Sequence, residues 1–186
     1  MVVEHDRFIR PVRHWVETVV VGLNLCPFAR RELVRNRVRF TVSEAETEEQ
    51  LLADLLAELE LLTNNEALET TLLIHPGVLQ DFFDYNQFLN HVDRLLVRMG
   101  LEGVYQVASF HPAYQFAGTR SDDVENYTNR SPYPMLHVIR EDSLERAIAG
   151  YPDAERIPQR NVELLDSLGL EKMQALLRDC YGEGGK

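Results

Sequence analysis

Leucines at positions 51, 52, 55, 56, 59 and 62 form the strongest apolar stripe in the chain, and their three- and four-residue spacing is that of one face of a helix. Ser43 followed by Glu46 has the spacing of a capping box ahead of it. The stripe is flanked by two segments of a different period. Arg37 to Val42 alternates, with Val38, Phe40 and Val42 on one side, and Thr70 to Ile74 is a short apolar run ending in His75-Pro76-Gly77. Both read as strands, the first half-buried and the second buried.

The alternation continues. A helix from about Asp81 to Met99 buries Phe82, Phe88, Leu89, Val92, Leu95 and Leu96 and stops at Gly100. Val104 to Phe110 is a third strand, closed by His111-Pro112, and Met135 to Arg140 is a fourth. Upstream, Val12, Trp15, Val16, Val19 and Val20 predict a helix from about Pro11 to Leu23, with Pro11 in its first turn. Downstream, shorter helices start at Asp142-Ser143, after Pro158 and from Glu171, and residues 182–186 read as a disordered tail. The expectation is an α/β (α+β) sandwich, with a mixed sheet of about four strands, three of them parallel, flanked by helices. A length of 186 residues fits a single domain over 1–186.

Charge and cysteine usage narrow the function classes. The 19 Lys and Arg against 30 Asp and Glu give a net charge of −11, which argues against coating nucleic acid. Val19 to Val21 is far too short to span a bilayer, and Met1 to Arg7 has no basic segment leading into an apolar run, so neither a membrane anchor nor a secretory signal is expected. Cys26 and Cys180 give no disulfide framework, which fits a reducing cytoplasm. Phosphate-binding Gly-rich loops, the Gly-x-Ser-x-Gly elbow and His-Glu-x-x-His do not occur.

In open α/β sheets ligands bind beyond the carboxyl ends of parallel strands, which places attention on His75 and His111. Each precedes a proline that turns the chain out of the sheet, and each is either a site residue or a ring capping a strand end. The loop from His111 to Pro134 is longer than a compact fold needs, and it holds three tyrosines, three acids, two arginines and two asparagines. The expected site is a pocket formed by this loop for a phosphate- or carboxylate-bearing small molecule. Arg130 holds the anion there, with Asn126, Asn129, Tyr114 and Gln115 around it. His111 is the candidate acid or base, Asp123 its partner and Cys26, ahead of Pro27, a candidate nucleophile. An Arg–Asp lock pinning the loop to itself is the bland alternative for Arg130 and Arg120.

Two other readings stay open: a non-catalytic ligand- or protein-binding module using the loop tyrosines, and a metal-dependent enzyme using His75, His111 and His137. His137 lies on the strand side shared with Met135 and Ile139, where a core histidine is the simpler account. No cofactor is indicated.

Leu25-Cys26-Pro27-Phe28-Ala29, Phe83-Asp84-Tyr85-Asn86, Gln106-Val107-Ala108-Ser109-Phe110-His111-Pro112 and Asn126-Tyr127-Thr128-Asn129-Arg130-Ser131-Pro132-Tyr133-Pro134 together resemble the bacterial family catalogued as domain of unknown function 1415. The resemblance covers nearly the whole chain. It implies a single-domain bacterial protein and groups the Cys-Pro, His-Pro and Asn-Arg segments as motifs of one family, with no activity, cofactor or substrate attached.

Overall fold

The computed structural model describes residues 2–182, so most of the tail expected to be disordered lies outside the described residues. α1 (Val2–Trp15) continues into a π-helical segment, Val16–Val21. It begins earlier than Pro11 because Phe8 and Ile9 extend the apolar face of Val12 and Trp15 and pack against the same core. α2 (Ala29–Val34) leads to β1 (Val38–Val42), α3 (Glu48–Thr63), β2 (Thr70–Ile74), α4 (Phe82–Arg98), β3 (Tyr105–Phe110) and β4 (Met135–Arg140). α5 (Glu141–Ala149), α6 (Ile157–Leu168) and α7 (Leu170–Asp179) follow. No helix among the described residues is long and apolar enough to cross a membrane.

The four strands form a mixed sheet in the order β1-β2-β4-β3. Only β1 and β2 pair in parallel, which corrects the expectation of three parallel strands. β4 enters between β2 and β3 and runs antiparallel to both, so β3 never meets a parallel neighbour. The register puts Ile74 and Phe110 on either side of Met135, so His75 and His111 leave the sheet at the same height.

Alternation of side chains then divides the sheet into two faces. Leu73, Leu136, Val138 and Tyr105 face α3 and α4 and share a core with Leu51, Leu55, Leu59, Phe88 and Val92. Leu72, Ile74 and Met135 face the other way, where Val12, Trp15, Val16, Val19, Leu165 and Met173 cover them. Arg140 ties the first layer to the sheet edge by donating to the carbonyls of Leu62, Asn65 and Leu68 at the end of α3 and to the Tyr105 hydroxyl.

The capping box of α3 is Thr47 with Gln50 rather than Ser43 with Glu46. Thr47 accepts from the Gln50 amide at 3.3 Å, and Gln50 Oε1 accepts from the amides of Thr47 and Glu46 at 3.3 and 2.8 Å. Ser43 instead donates to Asp54 at 2.5 Å, holding the loop against the side of the helix. Thr47→Ala should therefore lower stability by about 1 kcal/mol, whereas Glu46→Ala should change it by less than about 0.5 kcal/mol, as read by chemical denaturation.

Candidate functional site

His75 and His111 are fully buried on either side of Tyr85, with ring centroids 5.8 and 5.1 Å from it. The Tyr85 hydroxyl donates to the Met135 carbonyl at 2.8 Å and accepts from the Phe110 amide at 3.0 Å, so α4 holds the end of β3, from which His111 emerges, and the start of β4 beside the end of β2. Each histidine bonds a carbonyl of one turn: His75 Nδ1 donates to Val78 at 3.0 Å and His111 Nε2 to Leu79 at 3.1 Å. That turn carries Leu79 at φ 59°, a left-handed conformation leucine rarely adopts. At Gly77 it passes so close to Ala45 that an added Cβ would sit 2.8 Å from the Ala45 carbonyl oxygen.

The remaining acceptor of His111, Nδ1, is taken by the Ala113 amide at 3.0 Å, so both ring nitrogens of the expected acid or base are spent on backbone. His75 differs. Its Nε2 is buried with no partner, and burial lowers its pKa to about 4. The His111 pKa is lowered as well, again first by burial.

The 111–134 loop is ordered by its own polar groups and contains a 3-10 turn, Val124–Thr128. Asn126 is wholly buried, its Oδ1 accepting from the Phe116 amide at 2.9 Å and its Nδ2 donating to the Arg120 carbonyl at 2.7 Å. Asn129 donates to the Ser109 carbonyl, Gln115 to the Thr119 carbonyl, and Asp123 accepts from the Arg120 amide. Arg130 donates to the carbonyls of Tyr114 and Ser121 at 3.0 and 2.8 Å and lies 4.7 Å over the Tyr127 ring. Tyr114 packs on Phe82 and Phe116. Arg130 thus locks the loop through carbonyls rather than through Asp122, which pairs with Arg120.

A cavity of about 1060 Å³ lies on the opposite face of the sheet, and no residue of the 111–134 loop borders it. Its floor is the part of the sheet that the α1, α6 and α7 layer leaves uncovered, with Thr70, Leu72, Ala108, His137 and Ile139. One wall is Trp15, Val16 and Val20 with Cys26, Pro27 and Phe28; the other is α5 with Gly150 and Tyr151. The walls touch where Phe28 meets Tyr151 edge to face at 5.5 Å.

The π-helical segment shapes the first wall. Its widened turn lets the Val20 carbonyl accept from the amides of Leu25 and Cys26, and Asn161 of α6 donates to the Leu25 carbonyl at 2.8 Å, fixing the Cys-Pro corner. Single π turns of this kind recur at functional sites. Of the residues expected at the loop pocket Cys26 alone borders the cavity, and His137, expected only in the metal reading, borders it as well. Burial raises its pKa, against the lowering effect of the Phe28 and Ala29 amides, so it is a thiol at neutral pH.

His137 stands in the floor in register with Leu72 and Ala108. The Thr70 hydroxyl donates its one hydrogen to the Val138 carbonyl at 2.6 Å, so at 2.7 Å from His137 Nε2 it can only accept. That fixes the proton on Nε2. Nδ1 bonds to no described residue and is not among the buried unpartnered atoms, which leaves its lone pair open to the cavity. Burial lowers the ring's pKa to about 4, so His137 is neutral. Its alternation with His75 and His111 also disposes of the metal reading: those two turn to the α4 side, His137 to the cavity side. Among the described residues no group of three or more His, Cys, Asp or Glu is placed to hold a metal ion.

At the far end of the cavity Arg37 lies between two carboxylates, with Nη2 2.6 Å from Glu69 Oε2 and Nη1 3.4 Å from Glu32 Oε2. Glu69 Oε1 and Glu32 Oε2 are buried without a hydrogen bond. Leaving a buried acceptor unmet costs on the order of 1–3 kcal/mol. The sequence does carry a signal for this pair. Arg37 and Glu69 each directly precede a strand, and the parallel register Val38 to Thr70 sets them side by side.

Residues 7–175 match the sequence profile of a family described as protein of unknown function (DUF1415). No curated protein and no solved structure matches the chain.

The buried state of His75 sets a pH dependence. Its pKa is about 4 when folded against the ordinary 6.5, so below 6.5 the unfolded chain binds a proton that the folded ring refuses. Stability is complete above pH 6.5 and falls as pH drops towards 4. Denaturant titrations should show a loss of about 1 kcal/mol from this ring by about pH 5.5, above the carboxylate range, with a similar loss from His137, and His75→Gln should reduce that slope without abolishing it.

Proposed function

We propose that this chain, which belongs to the DUF1415 family, is a small-molecule enzyme that takes a largely apolar substrate into the sheet-face cavity and uses His137 as its proton acceptor. The observation that carries the reading is the chain His137 Nε2–H, Thr70 hydroxyl, Val138 carbonyl, which leaves Nδ1 as the reactive nitrogen above an apolar floor. A proton taken up at Nδ1 puts positive charge on the ring, which burial disfavours, so the proton is held only transiently. With a pKa of about 4 the ring is unprotonated at neutral pH and a weak base, which returns a proton readily. Cys26 supplies a thiol at the same cavity, available to react once a base removes its proton.

The volume, about 1060 Å³, is at the upper end of small-molecule sites and too large for a packing defect. A phosphate- or carboxylate-bearing substrate over Arg130 is the second reading. It is favoured by Arg130 Nη1, which bonds to no described residue, and opposed by the use of Asn126, Asn129 and both nitrogens of His111 within the loop.

A thermal-stability screen of the purified protein against apolar-bodied and anionic metabolites separates the two. A compound at 100 times its dissociation constant adds about 2.7 kcal/mol, a shift of a few degrees for a chain of this length. The expected hits are apolar-bodied, survive in Arg130→Ala, and vanish in Ala108→Phe, which fills the cavity floor. Anionic hits lost in Arg130→Ala and kept in Ala108→Phe would move the site to the loop. For a compound that is turned over, His137→Ala should keep binding and lower kcat by about 100-fold or more. Binding without any turnover would reduce the reading to a ligand-binding module.

A further inference from the structure

The sheet has two edge strands, β1 and β3, and the chain treats them differently. We infer that the open edge of β1 pairs antiparallel with β1 of a second copy of this chain, about a two-fold axis at Phe40, joining two four-stranded sheets into one. The Arg37 carbonyl accepts from the Glu69 amide and the Ser43 amide donates to the Ile74 carbonyl, so the odd-numbered residues of β1 direct their backbone to β2. Val38, Phe40 and Val42 direct theirs away from the sheet, where their N–H and C=O groups bond to no described residue. At β3 the chain itself occupies the edge. The Tyr105 amide donates to the Leu101 carbonyl, the Asn129 side chain to the Ser109 carbonyl, and the His111 amide to the Asn129 carbonyl. An unpaired edge is a template for another strand, and proteins that stay monomeric blunt it with lysine, proline, a bulge, an inward-pointing charge or a covering loop. Val38–Val42 holds no lysine or proline and keeps an unbroken register with β2. Its one charge, Arg39, is held on the α3 side by two hydrogen bonds to Glu58, at 2.8 and 3.0 Å.

The strand is its own complement, which selects a second copy as the occupant. Antiparallel pairing centred on Phe40 sets Phe40 against Phe40 and Val38 against Val42 of the second copy, and each such pair exchanges two hydrogen bonds between outward-facing groups. On the α3 side Arg39 then stands beside Thr41 of the second copy, so no like charges meet within the strand. The flanks are complementary as well. Arg35, before the strand, is exposed, and so are Glu44 and Glu46 after it. The two-fold axis brings the basic end of each strand to the acidic end of the other, whereas parallel pairing would set like charges together. The side chains of Val38, Phe40 and Val42 pack against the core beneath α1, with the Arg13 guanidinium 4.3 Å over the Phe40 ring. What this edge offers a partner is therefore its backbone.

Sedimentation of the full chain over a dilution series, with amide hydrogen exchange followed by NMR at both ends of the series, tests this. The mass should approach twice the 21.5 kDa of the chain as concentration rises. In the dimer the amides of Val38, Phe40 and Val42 should be protected as those of Arg39 and Thr41 are. On dilution these three should lose protection while Arg39 and Thr41 keep theirs. Val42→Pro removes one outward N–H from each copy and spares the ladder with β2, because proline fits an edge strand where its nitrogen faces away from the sheet. By symmetry two hydrogen bonds are lost, so the dimer should weaken by about tenfold or more. If that variant does not fold, the exchange pattern of the unaltered chain decides. A chain that is monomeric throughout the series overturns the inference. So does a dimer in which the three amides exchange freely, or one that Val42→Pro leaves as tight as before.

Discussion

β4 supplies the ladder partners of both β2 and β3, and the register it imposes decides where every candidate side chain can be. Met135 is flanked by Ile74 and Phe110, so the next residues, His75 and His111, turn to the α4 side, and His137, two positions along β4, turns to the opposite side. His137 is therefore separated from His75 and His111 by the thickness of the sheet. A one-residue slip of β4 would exchange the faces, bury His137 against α3 and α4 and remove the floor of the cavity.

The two faces are then used differently. On the α4 side, packing is complete: Tyr85 braces the ends of β3 and β4, and the paired histidines hold consecutive carbonyls of a turn strained at Leu79. The imidazoles act there as neutral donors in a dry setting, and His75 Nε2 stays unpaired as the cost of that clamp. On the other side, α1, α6 and α7 reach across the half of the sheet nearest Met135, and α5 with the Cys-Pro corner borders the remainder without filling it. His137 Nδ1, unbonded and accessible, faces that unfilled volume, and Glu69 and Glu32 stand at its edge with their unbonded oxygens buried. Unmet hydrogen-bonding capacity beside an apolar space is what distinguishes a binding site from a packing gap.

Much of the fold is legible from local pattern. The Leu51 to Leu62 stripe, the Thr70 to Ile74 run and the strand containing Met135 all fold where their periods place them, because each segment's burial agrees with its propensity. The equal height of His75 and His111 follows from two His-Pro strand ends. What local pattern does not carry is pairing: nothing within Met135 to Arg140 says that it inserts between β2 and β3, so only β1 and β2 pair in parallel where three parallel strands are expected. Ser43-x-x-Glu46 and Thr47-x-x-Gln50 are equivalent capping signals four residues apart, and burial of Ser43 decides between them. The polar 111–134 loop draws attention by composition, yet Asn126 and Arg130 are there to replace the hydrogen bonds that a chain without regular structure lacks. The cavity is invisible in sequence because it is defined by what fails to cover the sheet. The π segment is equally hidden, since Val16 to Val21 reads as an ordinary apolar helix.

The proposed role of His137 depends on the position of one proton. A long-range nitrogen–proton NMR spectrum of the histidine rings at neutral pH reports the charge and tautomer of His137 directly. It should show a neutral ring protonated at Nε2, with the unprotonated Nδ1 resonance shifting when a compound occupies the cavity. A ring protonated at Nδ1, or a charged imidazolium, would mean that the lone pair does not face the cavity, and the proposed role of His137 would be wrong.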